Sequence, residues 1–279
     1  DRIDCVFQLT GMISSFKGTD INNPVQNWLN LTDAERAVTV NPTSTVLSSI
    51  MRNKGASVST SFKLKATNET LLSAEQRQKC KVFMDAAHKE LSPNSNDMKI
   101  VLGDNYGRNG QAAFLALFGP NLQAKYDRIL ATHSSDGVKI ALRRSEGDVK
   151  GCIDFHCDGG YATATVQIAL NDDSEYEGGR ICFVTGDGVL TVPSRPAGTL
   201  TRHKRDILHG VTRLHRGVRY GLFVVDTSNG LGERDVHCLD ASAIELISSA
   251  IIELSSDSES ESDSDSSNSS DSPSSSNSS

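Results

Sequence analysis

The chain has 279 residues, enough for one domain of ordinary size or two small ones, and a net charge of −7 at pH 7. Residues 255–279 hold sixteen serines and six acids with no basic or aliphatic side chain, so residues 1–254 are near neutral at −1. That balance gives no electrostatic footing for binding nucleic acid, and no run of eighteen apolar residues is present to cross a bilayer.

In chain order, "IDCVFQL" (Ile3 to Leu9) reads as a strand. A polar, Asn-rich stretch with little periodicity follows to about Thr70, and residues 1–70 receive no role. Residues 71–240 read as one domain. It opens on a helix, because Ser73 and Gln76 form a capping box and Cys80, Phe83, Ala87 and Leu91 share one stripe. A second helix is expected over Gly110 to Phe118, stopped by Gly119-Pro120, and a third over roughly Leu122 to Thr132. After Asp136-Gly137 the texture changes. "VKIALRR", "YATATVQIAL", "GGRICFV", "GVLTVP", "GTLTRHK", "DILHGVTRL" and "VRYGLFVVD" alternate with Gly-rich turns over residues 138–226, which predicts a sandwich or jelly roll. A last amphipathic helix over residues 241–254, with Ile244, Ile247, Ile251 and Leu254 on one stripe, should pack on the domain. Residues 255–279 cannot bury apolar surface and are expected to be disordered; their acids suit a basic partner. The fold class is therefore α+β, mainly β. Six cysteines without paired spacing point to reduced thiols and an intracellular setting, cytoplasmic or nuclear.

The chemistry concentrates in "GCIDFHCDGGYATATVQIAL" (residues 151–170). Strand alternation puts His156 and Asp158 on one face and Cys157 on the other. A third ligand must come from another strand, and His203, His209 and His215 are the candidates. His203 lies among charges in "TRHKR" and reads as exposed, while His215 lies in a turn. His209 alone sits in an apolar strand, "ILHGV", where an unpaired imidazole would be unfavourable. Two histidines and one carboxylate on one face suit non-haem Fe(II), because they leave adjacent positions for a chelating co-substrate and O₂. The segment from His209 to Arg219 is symmetric about Leu214, so a tight hairpin is expected to set Arg219 opposite His209, where its guanidinium suits a carboxylate. Cys152 and Cys157 read as packing residues.

"FHCD", "NDDSEYEGGRICFV", "VPSRPAGTLTRH" and "ILHGVTRLHRGVRYGLFVVD" resemble the 2-oxoglutarate and Fe(II)-dependent dioxygenases, particularly the prolyl-4-hydroxylase-like branch. The resemblance covers residues 138–226 well and 73–226 loosely. It implies a double-stranded β-helix with iron held by His156, Asp158 and His209. It implies that Arg219, ten positions after the distal histidine, binds the far carboxylate of 2-oxoglutarate, and that Thr165 lines the same pocket. O₂ and the reductant ascorbate belong to the implied cofactor set. In "VKIALRR" the alternation of Val138, Ile140 and Leu142 turns Arg144 inward, where it would stand in for the co-substrate tyrosine of that branch; a solvated Arg143-Arg144 pair is the alternative. Tyr220-Gly221 after Arg219 departs from the plant small-molecule enzymes of the superfamily, and Val225 departs from its nucleic-acid demethylases. Both departures favour a protein or peptide substrate. The rival readings are a non-catalytic β-helix module that binds a small acid or peptide, and a nucleic-acid or small-molecule oxygenase.

Overall fold

The computed structural model describes residues 22–56, 71–131, 138–148, 151–159, 162–186, 188–226 and 236–257, with the backbone alone at 22–24 and 252–257. The expected strand Ile3 to Leu9, the side chain of Leu254 and the acidic residues from 258 onward lie outside these. Eighteen residues of "AEQRQKCKVFMDAAHKEL" form α4 (Ala74–Leu91), and the expected capping box is made, with Ser73 accepting from the Gln76 amide and Gln76 from the Ser73 amide. Further helices are α5 (Gly110–Phe118), α6 (Gln123–Leu130) and α7 (Ala241–Asp257).

Against these helices lies a six-stranded sheet. Its order is β12 (Val236–Leu239), β1 (Asp97–Leu102), β2 (Val138–Glu146), β11 (Val218–Asp226), β4 (Ala164–Ala169) and β8 (Leu200–Lys204). All pairings are antiparallel except β1 with β12. Even-numbered positions such as Ile100, Leu142, Val166, Ile168, Leu222 and Val224 pack on Phe83, Phe114 and Ile244 of the helices. Period-two alternation then sends the odd-numbered positions of the same strands to the opposite face.

That opposite face looks at a second sheet, ordered β3 (Ile153–His156), β9 (Leu208–Val211), β6 (Ile181–Thr185) and β7 (Val189–Thr191). Its outer face carries Phe155, Cys182, Val184 and Leu208, which pack on Trp28, Leu29, Leu47 and Met51. These partners come from α1 (Asn22–Asn30) and α3 (Ser44–Asn53), with the short α2 (Asp33–Val38) between them. The expectation of an aperiodic N-terminal stretch is thereby corrected. Val25, Trp28 and Leu29, and again Leu47, Ile50 and Met51, keep i, i+3, i+4 spacing, but each helix is too short for the pattern to stand out of its polar surroundings.

One expected strand is in fact two. "DILHGVTRL" breaks after Val211: the Thr212 amide donates to the Arg180 carbonyl (2.9 Å) and the Arg213 amide to the Leu29 carbonyl (2.8 Å). β10 (Leu214–Arg216) then pairs with β5 (Glu177–Gly178), away from β9. His209 and Arg219 are therefore not cross-strand neighbours. His209 faces His156 and Phe183, while Arg219 faces Ser145 on the other sheet.

Candidate metal and carboxylate site

The two sheets enclose a cavity of about 270 Å³ whose walls include His156, Asp158, Thr165, Gln167, His209 and Arg219. His156 and His209 sit directly opposite each other on β3 and β9, with ring centroids 4.3 Å apart. Each is fixed from behind by a backbone carbonyl: His156 Nδ1 donates to Asp154 O (2.8 Å) and His209 Nδ1 to Ile207 O (3.0 Å). A neutral imidazole with its proton on Nδ1 presents a bare Nε2 lone pair to the cavity, the arrangement a metal requires. Burial, then the neighbouring His203, pushes the His209 imidazole down to about 4, so it is neutral at physiological pH.

Asp158 lies two residues beyond the end of β3, so strand alternation with His156 is not what turns it inward. Two side chains do so instead. Thr165 Oγ1 donates to Oδ2 (2.8 Å), and His203 Nε2 donates to the same oxygen (3.2 Å). Oδ1 is left facing His156 Nε2 at 3.7 Å and His209 Nε2 at 3.5 Å. Burial acts to raise the Asp158 carboxyl, yet the bond from His203 and the nearby His209 outweigh it, and the group stays below the ordinary aspartate value.

The candidate ligand atoms of His156, Asp158 and His209 all fall within 4.8 Å of one another. Ligands about 2.1 Å from an ion and at right angles are about 3 Å apart, so the carboxylate–imidazole separations of 3.7 and 3.5 Å would have to shorten by about 0.5–0.7 Å to close on a metal. Two imidazole nitrogens and one hard carboxylate oxygen, with no thiolate among them, suit iron(II) and its neighbours rather than a structural zinc. Cys157 packs instead on the N-terminal helices, its thiol pushed up by burial, and the described cysteines are all free.

His203 was expected on the surface and is instead 1 % exposed. In β8 its charged neighbours Arg202 and Lys204 point to solvent while His203 points in, opposite Thr165 of β4. It supports the carboxylate from behind and is not part of the three-residue cluster. His215 lies in β10, outside the cavity.

Arg144 is also corrected. It faces the helices, where its guanidinium pairs with Asp85 (2.8 Å) and Glu146 (2.7 Å). Its neighbour Arg143 is the β2 arginine that lines the cavity, held by Asp97 through two hydrogen bonds of 2.8 and 2.6 Å. Arg219 lies in the cavity wall as expected, but it arrives there from the opposite sheet to His209. Among the described residues no carboxylate lies within ion-pair distance of its guanidinium, and burial disfavours its charge. Gln167, on the wall one pleat step from Thr165, was not singled out in the sequence; its position in phase with Thr165 on one strand was the available signal.

No family model and no curated protein matches the chain. Among solved structures it is similar to a prolyl-4-hydroxylase of Pseudomonas putida, at 16% identity over 67% of this chain and 100% of that one, with a TM-score of 0.40. It is also similar to a 2OG-Fe(II) oxygenase family oxidoreductase of Burkholderia pseudomallei, at 13% identity over 71% and 96% of the chains and a TM-score of 0.42. A third is HygX of Streptomyces hygroscopicus, solved with nickel and 2-oxoglutarate, at 12% identity over 57% and 80% of the chains and a TM-score of 0.40.

Proposed function

We propose that the protein is an Fe(II)- and 2-oxoglutarate-dependent dioxygenase that hydroxylates a C–H bond of a protein side chain, as the prolyl-4-hydroxylase-like resemblance implies. One observation carries this reading. A single cavity has two imidazole Nε2 atoms and a carboxylate oxygen converging at one point of its wall, and at another a guanidinium that has no carboxylate partner among the described residues. His156, Asp158 and His209 would hold the metal. Arg219 would hold the distal carboxylate of the co-substrate, since a planar guanidinium matches a carboxylate in two parallel hydrogen bonds. Iron(II) so held, with 2-oxoglutarate and O₂, supplies oxidation of an unactivated C–H bond as the co-substrate loses CO₂ to become succinate.

The chain's own work is coordination geometry and orientation. The backbone carbonyls of Asp154 and Ile207 set the imidazole tautomers, and Thr165 with His203 pins one oxygen of Asp158 so that the other faces the metal position. Access favours a bulky substrate: the His156 side chain is 41% exposed, whereas those of His209 and Asp158 are each 7% exposed. The site therefore opens to solvent on the His156 side, where a side chain of a folded or extended polypeptide can reach it. The double-stranded β-helix name fits two facing sheets backed by helices, and an intracellular setting fits the free thiols.

The test is succinate release by the full chain with Fe(II), ascorbate and 2-oxoglutarate, with and without a peptide library rich in Pro and Lys. Peptide-stimulated succinate that disappears in His209→Ala is expected. Binding of 2-oxoglutarate without any turnover would instead mark a non-catalytic module, and stimulation by single-stranded nucleic acid but not by peptides would move the substrate class.

A further inference from the structure

The segment between β7 and β8 carries an arginine that the metal and co-substrate assignments leave unused. Arg195 is 5% exposed. Its backbone amide is anchored on Asp173 Oδ2 (2.8 Å), and its Nη1 reaches Gln167 Oε1 in a long hydrogen bond of 3.4 Å. Among the described residues its buried Nε has no partner, and no carboxylate lies within ion-pair distance of its guanidinium. Burial, and then the like charge of Arg219, pushes the group down to about 9, and the nearby Tyr176 and Asp173 offset this only in part. A buried guanidinium that meets a neutral amide and another arginine is unfavourable unless an anion shares the site. The cavity wall in front of it is Gln167.

Gln167 has one acceptor and two donors on its amide. With Oε1 turned back to Arg195, the NH₂ end is the end left for the cavity. Gln167 sits two residues along β4 from Thr165, the residue that holds Asp158, about 7 Å along the strand at roughly 3.3 Å per residue. It also sits opposite Phe223 of β11, the strand that carries Arg219. Arg219 lies four residues along that strand, and both side chains line the one cavity, so a ligand that spans from the metal position to Arg219 passes this amide.

Resting on the co-substrate reading above, we propose that Arg195 is a positioning residue for the carboxylate end of the cavity: it locks Gln167 with its amide NH₂ toward the ligand and adds a second positive charge behind Arg219. Arg195 does not touch the ligand. It acts through the orientation of Gln167 and through charge.

The experiment uses the full chain, free of metal, and titrates glutarate calorimetrically. Glutarate keeps both carboxylates but lacks the 2-oxo group that chelates metal, so it isolates this end of the cavity. Wild type should bind glutarate, and Arg195→Met should weaken it about tenfold, the scale of one amide donor of Gln167 no longer held toward a carboxylate. Gln167→Leu should weaken it less, since it leaves the charge of Arg195 in place, and the double variant should be little worse than Arg195→Met, because the orienting effect runs through Gln167. Arg195→Lys should recover part of the loss. A purely structural arginine predicts additive losses that follow the melting temperature. Unchanged binding in Arg195→Met, beside a large loss in Arg219→Ala, overturns the role of Arg195 and leaves the function standing. Unchanged binding in Arg219→Ala, or no glutarate binding by wild type, overturns the carboxylate site itself. If Arg195→Met does not fold, Gln167→Leu decides: wild-type affinity there sinks the proposal.

Discussion

His203→Leu separates support from ligation. In the protein, the Asp158 oxygen that faces away from the metal position receives two hydrogen bonds, 3.2 Å from His203 and 2.8 Å from Thr165. A bond to a charged acceptor contributes about 1.5–3 kcal/mol. Groups that orient a metal ligand from behind change metal affinity by about 10- to 100-fold, or about 1.4–2.8 kcal/mol at 1.4 per decade. The two magnitudes agree, so His203→Leu should weaken anaerobic Fe(II) or Co(II) binding within that range. Folding should survive, because the other ring nitrogen of His203 is buried without a partner and leucine removes that defect. Metal titration of wild type, His203→Leu, Thr165→Val and His209→Ala is the assay. Thr165→Val should resemble His203→Leu, and His209→Ala should lose most of the affinity. A loss in His203→Leu as complete as in His209→Ala would make His203 a ligand. Full retention in His203→Leu would show that Asp158 needs no such support.

Arg219→Ala should raise the KM for 2-oxoglutarate by about two orders of magnitude and leave metal binding intact, whereas Arg144→Ala should leave KM unchanged and lower stability alone; steady-state kinetics beside melting curves distinguish them. Leu47→Ala removes a fully buried contact of the N-terminal helical cover and should destabilise by about 2–5 kcal/mol in denaturant titration; a change under 1 kcal/mol would mean that the cover is not part of the core. Gly178, at φ +76°, would place a Cβ on the Arg213 carbonyl oxygen, so Gly178→Ala should lower the melting temperature by several degrees, and an unchanged value would contradict this packing. Burial acts to raise the Asp97 carboxyl, but Arg143 and Ser145 outweigh it and hold it below the ordinary value. Its contribution is thus present above the unfolded aspartate pKa of about 3.9 and is lost as pH falls through the lower folded value, so Asp97→Asn should flatten the acid limb of stability. Superimposable acid limbs for the two proteins would refute that assignment.

How far the site could be read from the residues depended on whether a strand has one buried face or two. His209 was legible because an imidazole in "ILHGV" has apolar neighbours on both sides. His203 was not, because Arg202 and Lys204 suggest a solvated segment, although period-two alternation sends them out and His203 in. The direction of Arg144 is hidden for a different reason. Both faces of β2 are buried, one on helices and one on the cavity, so apolar alternation reveals the period but not which phase meets the ligand. Ile140 and Leu142 point to the helix side and carry Arg144 with them, while Arg143 takes the cavity. Arg219 lines the cavity, but not by way of a hairpin with His209. The hairpin symmetry suggested a cross-strand neighbour of His209, but Thr212 and Arg213 give their amides to other segments, and the chain passes from one sheet to the other before Arg219.

The N-terminal helices change the meaning of the candidate metal site. β3 is only four residues long and lies at the edge of its sheet, a poor platform for a ligand by itself. α1 supports it: Trp28 and Leu29 lie in the same cluster as Phe155, and Gln26 Nε2 donates to Asp154 Oδ2 (2.7 Å). Asp154 is the residue whose carbonyl fixes the His156 ring. Leu29 in turn accepts from the Arg213 amide just after β9, the strand that carries His209. Both imidazoles therefore sit on strands tied to one short helix. The segment for which the sequence suggested no role is thus the outer wall of the site, and the exactness of the His156–His209 pair depends on how firmly that wall is packed.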